Sequence, residues 1–252
     1  MVLGILAVIL SNIFPLLTAY LLVKVAQRFF SRANWEKNNL NLTAFSSGVL
    51  LAISTLHLLP EAVAQSAQPG IVYYFLLGGV LGLFFMERMV LWYHHHHGDH
   101  GNKPSVLLIL SGDSVHNILD GVAIVSSFLI SPSIGLLTTF AVVMHEVPQE
   151  VANFSILLNS GIRPVKAIWY KFMSGSTVLI GALIALIFQD GVKSALGYIS
   201  AVTSGMFLYI ALADLIPELH TKTLSNRDKW VQLCLLFFGL LVVILLGMAF
   251  ED

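Results

Sequence analysis

Eight apolar runs, at roughly 2–23, 40–60, 71–92, 104–130, 134–160, 165–188, 194–217 and 230–250, leave almost none of the 252 residues for anything else. An α-helix needs about twenty consecutive apolar residues to cross a hydrocarbon core ~30 Å thick. Every backbone N–H and C=O in lipid must find its partner within protein, which restricts spanning segments to helices or closed barrels. Runs of this length are helical, so the sequence predicts an all-α integral membrane protein with eight transmembrane helices. A composition that is 57% apolar and 11% charged, with mean hydropathy +0.84, agrees.

The first run has no basic leader and no small-residue cleavage site, and is expected to be a retained helix. Cys234 is the sole cysteine, so no disulfide forms within one chain. The net charge of −1 says little by itself, and no nucleic acid is expected as a partner. The lipid bilayer is the expected surroundings.

Charge placement sets the orientation. The odd-numbered loops and their flanks hold Lys24, Arg28, Arg32, Lys37, Arg88, Lys103, Arg163, Lys166, Lys171, Lys222, Arg227 and Lys229, whereas the even loops hold Lys193 alone. Cytoplasmic loops carry the Lys and Arg excess. The odd loops are therefore expected inside and both termini outside.

Short connections such as "ISPSI" and "QDGVK" make consecutive helices antiparallel neighbours, and residues 1–252 are expected to form one domain. The longest polar connections, "RFFSRANWEKNN", "HHHHGDHGNK" (the His-rich cytoplasmic loop, 93–103) and "HTKTLSNRDK", are too short for a soluble catalytic domain. A weak repeat joins "HLLPEA" at 57–62 to "DLIPEL" at 214–219, on spans expected to run in opposite directions. Inverted repeats of this kind place a transporter's pathway at their interface.

Ionisable groups at mid-membrane depth are costly and face a bundle interior or a wet cavity. In span four, His116 and Asp120 are four apart and share a helix face, with Asn117 about 100° round and Asp113 one turn nearer the cytoplasm. In span five, "HEVPQE" sets His145 and Gln149 on one face, with Glu146 and Glu150 on the next. Imidazole nitrogen with carboxylate oxygen suits zinc and related first-row divalent ions, and is too nitrogen-rich for magnesium or calcium. His116, Asp120, His145 and Gln149 would form one site; Asn117, Glu146 and Glu150 are positioned for a second, with Asp120 bridging. A network that only glues helices together is the alternative for an isolated polar residue. Two matched clusters on neighbouring spans point instead to a metal.

Pro148 cannot donate to the Met144 carbonyl, which is left beside His145 to serve an ion or a water. His57 with Glu61, and Asp214 with Glu218, would be way stations on the pathway, or simple helix-end polarity. Asp113 would be a step toward the cytoplasm. Lys171 is expected to snorkel to the cytoplasmic interface, and Ser174, Gly175, Ser176 and Thr177 to mark close helix packing. His94, His95, His96, His97 and His100 would capture metal in the cytoplasmic loop, or lie in a solvated loop without that role.

These residues resemble the ZIP (Zrt/Irt-like protein) divalent metal transporters over nearly the whole chain. "HNILDG" in span four and "HEVPQE" in span five match the family's paired motifs, and "HLLPEA" and "DLIPEL" resemble its second and seventh spans. The resemblance implies two three-helix halves around spans four and five, an inverted 3+2+3 repeat, and import of Zn2+, or of Cd2+, Fe2+ or Mn2+, toward the cytosol by a homodimer. It implies His116, Asn117 and Asp120, with His145, Glu146 and Gln149, as ligands. Many eukaryotic members have a second histidine where Gln149 stands, and a frequent asparagine near the start of span six is replaced here by Lys171. With no soluble ectodomain the chain resembles a compact prokaryotic-type member, to be placed in the inner membrane.

An intramembrane zinc protease is the contrasting expectation, since "HEVPQ" is one residue from His-Glu-x-x-His. Those enzymes place the aspartate motif after the His-Glu helix, the reverse of this order, and Gln149 stands in place of the second zinc ligand. No enzyme is therefore expected. A passive metal sensor would normally need an output domain.

Overall fold

The computed structural model describes residues 2–29, 32–97, 106–159, 161–220 and 225–250, and these are helical apart from short turns. The elements are α1 (Val2–Phe29), α2 (Arg32–Ala52), a π-helical segment (Ile53–Leu58), α3 (Leu59–Gln65), α4 (Pro69–His97), α5 (Val106–Ile130), α6 (Pro132–Asn159) and α7 (Pro164–Gly175). They continue as α8 (Val178–Ile187), α9 (Gln189–Ser194), α10 (Leu196–Tyr209), a second π segment (Ile210–Leu215), α11 (Ile216–His220) and α12 (Asn226–Phe250).

Seven stretches among the described residues are long and apolar enough to span a membrane: Leu3–Leu21, Asn38–Gln65, Pro69–Met89, Leu110–Ile130, Pro164–Ile187, Leu196–His220 and Asn226–Ala249. The sequence reading has eight, and the difference is α6. Its 28 residues measure about 42 Å at 1.5 Å per residue, but His145, Glu146, Gln149 and Glu150 interrupt its apolar character. Three sequence expectations are corrected. Most of "RFFSRANWEKNN" is helix, belonging to α1 and α2; the His-rich stretch is helix as far as His97; and "QDGVK" opens the short helix α9.

The two π segments follow from proline. Pro60 and Pro217 have no N–H for the carbonyl four residues back, and their rings crowd it. Each span meets this with a wider π turn ending two residues before the proline. Ser200 Oγ donates to the Leu58 carbonyl at 3.0 Å, satisfying one group of the distorted stretch. The matched distortion lengthens the repeat seen in sequence: with Pro60 set against Pro217, Ser46-Ser47-Gly48 falls on Thr203-Ser204-Gly205 and Ile53 on Ile210.

Helix pairing carries the same correspondence. The α2 helix packs on α12 as α10 packs on α4, and α5 packs on α8 as α6 packs on α1. Glycine permits the first two contacts. A Cβ on Gly48 or Gly239 would strike the backbone at Leu236 or Phe45, and one on Gly79 or Gly205 would strike the backbone at Val202 or Leu76.

The main core draws Val8 of α1, Leu50 of α2, Leu83 of α4, Ile124 of α5, Val142 of α6, Ala182 of α8, Phe207 of α10 and Val243 of α12 into one cluster. The outer surface carries many large apolar side chains: Leu6, Phe14, Tyr74, Phe85, Leu183, Phe188, Trp230 and Phe237 are all exposed. Contiguous apolar surface on that scale belongs against lipid. The chain is a multi-pass integral membrane protein, with α5 and α6 packed together inside the bundle.

Candidate metal centre

The i, i+4 spacing on α5 points His116 and Asp120 the same way, and α6 brings His145 and Glu146 to meet them. Nε2 of His116 lies 3.0 Å from Nε2 of His145, 3.7 Å from an Asp120 oxygen and 3.7 Å from Oε1 of Glu146. Nε2 of His145 lies 3.4 Å from the same Asp120 oxygen and 3.8 Å from Oε1 of Glu146. Ligands at the 2.0–2.1 Å typical of zinc, arranged as a tetrahedron, stand about 3.3 Å apart. Five of the six separations among the four donor atoms, 3.0 to 3.8 Å, are therefore already close to the edges of such a tetrahedron.

The surroundings hold them there. Nδ1 of His145 is 3.0 Å from the Ala141 carbonyl, which can only accept, so Nδ1 carries the proton and Nε2 presents its lone pair to the centre. Phe207 of α10, itself fully buried, lies against the His145 ring with centroids 5.8 Å apart. Both Asp120 oxygens and Oε1 of Glu146 are buried and accept no hydrogen bond among the described residues. Buried carboxylate oxygens without donors are costly unless a cation faces them. Among the four, His116 alone keeps appreciable access, with 13% of its side chain exposed, and so marks the open side.

The carbonyl left by Pro148 is met by a hydroxyl: Ser46 Oγ of α2 donates to the Met144 oxygen at 2.5 Å. Span six breaks after Gly175, and the close packing expected there is present: a Cβ on Gly175 would strike Asn12 of α1. Thr177 Oγ1 donates to the Ser114 carbonyl at 2.7 Å, and Asn12 Nδ2 donates to Ser176 Oγ at 3.2 Å.

A second set, Asp113, Glu146 and Glu150, also brings its carboxylates within 4.8 Å of one another. Glu146 thus belongs to both sets, and Asp113 joins the centre where the sequence placed it as a separate inward step. Lys171 corrects a larger error. It does not snorkel: it is fully buried, with Nζ 2.7 Å from an Asp113 oxygen and 3.1 Å from a Glu150 oxygen. The available signal was the surplus of buried acids on α5 and α6, together with a lysine two helical turns inside an apolar run. Asn153 Nδ2 donates to the other Asp113 oxygen at 3.3 Å. Asn117 turns its Nδ2 to the Asp113 carbonyl at 2.9 Å, and Gln149 is half-buried one turn beyond His145.

The remaining predicted residues lie outside these two sets. The His57 imidazole packs against Gly247 of α12, where any side chain would collide with it. Glu61 accepts from Gln65 Nε2 at 2.9 Å. Asp214 lies in the second π segment and Glu218 in α11, both half-buried. His94, His95, His96 and His97 close α4, while His100 falls outside the described residues.

Residues 1–107 and 99–247 match the profile of the ZIP zinc transporter family. A protein of Pongo abelii named zinc transporter ZIP13 is 35% identical over 263 residues, covering 98% of this chain and 77% of its own length. The zinc transporter ZIP13 of Danio rerio is 30% identical, with 98% of this chain and 86% of its own length covered. A human protein named zinc transporter ZIP10 is 36% identical over 121 residues, 48% of this chain and 15% of its own length. These relatives are animal proteins, and the expectation of a prokaryotic-type member is corrected accordingly.

Proposed function

The chain belongs to the ZIP zinc transporter family, a family of transporters and not of enzymes, and from that premise we propose that it carries zinc across the membrane into the cytoplasm through the α5–α6 centre. The observation that carries this reading is the convergence of two imidazole nitrogens and two buried carboxylates on one point, at spacings close to a zinc tetrahedron. His116, Asp120, His145 and Glu146 are the proposed ligands. Glu150, Asn117 and Gln149 complete the polar lining, with Gln149 the weaker donor that favours release over storage. His57, Glu61, Asp214 and Glu218 are proposed to line the approach and exit.

In this reading α6 is the eighth span, its polar centre tolerated because it faces the bundle interior. Spans one to three and six to eight are inverted repeats flanking α5 and α6. The matched π segments and the corresponding helix pairs support this. Both termini are outside, on the charge distribution; burial of Lys171 removes one cation from that tally and leaves its sign unchanged. A negative-inside potential favours inward movement of a divalent ion by about 4.6 kcal/mol per 100 mV, twice the single-charge value, so no second ion is needed to drive import. The working unit is proposed to be a homodimer, as the family resemblance implies.

Uptake by reconstituted protein tests the reading. Vesicles containing the intact chain should accumulate zinc, and the same assay run with cadmium, iron and manganese defines selectivity. His116→Ala and Asp120→Ala should each abolish accumulation while the protein stays folded. Normal uptake by both variants would sink the site assignment.

A further inference from the structure

We propose that the Lys171 ammonium is a resident cation in the place of a second metal, so that the α5–α6 centre holds one transported ion at a time. The proposal rests on the transport reading above and narrows it, because the two carboxylate sets alone would suggest a pair of ions.

The second set has the geometry to hold a cation, with Asp113, Glu146 and Glu150 oxygens within 4.8 Å of one another. It already has one. Lys171 Nζ pairs with Asp113 at 2.7 Å and with Glu150 at 3.1 Å, and none of its side chain is exposed. A buried ammonium persists only where its charge and its three N–H donors are matched by acceptors. Asp113 and Glu150 match its charge at ion-pair distance. The same two residues are what a metal in this set would require, so ammonium and metal compete for the same oxygens, and like charge disfavours both together. The first set differs in kind: among the described residues the Asp120 carboxylate faces imidazoles, and no ammonium stands at ion-pair distance from it. Glu146, shared between the sets, would face a mobile cation on one side and a tethered one on the other.

A tethered charge does what a permanent second ion would do for Asp113 and Glu150, yet cannot leave. The centre then cannot pass ions as a pair, and its occupancy changes by one ion per cycle. Lysine serves here as a compact point charge on a long stem, which α7 delivers from outside the α5–α6 pair.

Zinc-edge anomalous scattering from zinc-soaked crystals of the full chain, and of the Lys171→Ala and Lys171→Met variants, tests the proposal. The expected result is one zinc peak in the centre of the unaltered chain and two in the variants, the second lying among Asp113, Glu146 and Glu150. Two peaks in the unaltered chain, or a single peak in a folded variant, would overturn it while leaving the transport reading intact. Zinc absent from the centre of every protein would overturn both. Should neither variant fold, Asp113→Asn keeps the question open to decision. It should leave the single peak in place, whereas loss of one of two peaks would show that the unaltered second set binds metal.

Discussion

The two halves of the polar centre use the same carboxylate chemistry to opposite ends. Around Asp113 and Glu150 the charges are matched within the protein, by Lys171 and by the Asn153 amide. Around Asp120 and Glu146 they are not: two imidazole nitrogens converge with two carboxylates, and among the described residues no ammonium stands at ion-pair distance from Asp120. A buried acid with its own cation is a structural element, while one left without a cation is a demand for something that arrives from outside. The fully buried charges therefore divide into scaffold and receptor by what faces them and not by depth or residue type.

Substitutions that treat the halves alike should break this division if it is wrong. The largest effect is expected from His145→Ala, which removes an imidazole from the receptor half; zinc uptake should fall to the level of empty vesicles with little loss of thermal stability. Next is Lys171→Ala. Leaving buried acids without their counter-charge costs about 3–5 kcal/mol, so the metal-free variant should unfold at a markedly lower temperature in detergent and regain stability when zinc is added. An unchanged metal-free midpoint would mean that Lys171 does not neutralise the scaffold half. A smaller effect is expected from Gln149→His: an imidazole should hold zinc longer and lower the maximal uptake rate several-fold, seen as slower transport with tighter half-saturation. The smallest is Ser46→Ala, which deprives the Met144 carbonyl of its donor and should cost about 1 kcal/mol, measured as a modest fall in the unfolding midpoint.

Much of the receptor half was legible in advance. His116 and Asp120 at i, i+4, and His145 on the neighbouring span, follow from helical periodicity and the cost of polarity in lipid. Glu146 was assigned to the second stripe, although its carboxylate reaches both sets. Helical spacing gives the direction of Cβ, whereas a glutamate's three torsions decide where its oxygens end. Lys171 was misread for a related reason: a long stem lets the same residue reach outward to the interface or inward to an acid, and only its packed neighbours decide. The helices themselves were largely predictable from apolar length. The π segments and the break after Gly175 were not, because they depend on contacts distant in sequence, as where Ser200 donates to the Leu58 carbonyl and Thr177 to the Ser114 carbonyl.

The π segments also alter angular bookkeeping along spans two and seven. A π turn accommodates one extra residue, and each residue of an α-helix advances the face by about 100°. Glu61 and Glu218 thus fall one residue's step short of the rotation from Gly48 and Gly205 that an uninterrupted helix would give. The glycines can stay against α12 and α4 while the Pro-Glu turns of both spans swing round to another side. Deleting one residue from either π segment would remove the bulge and leave its glutamate facing the same way, whereas straightening the span at constant length would turn the glutamate by about 100°, so each bulge acts as a fixed quarter-turn within its span.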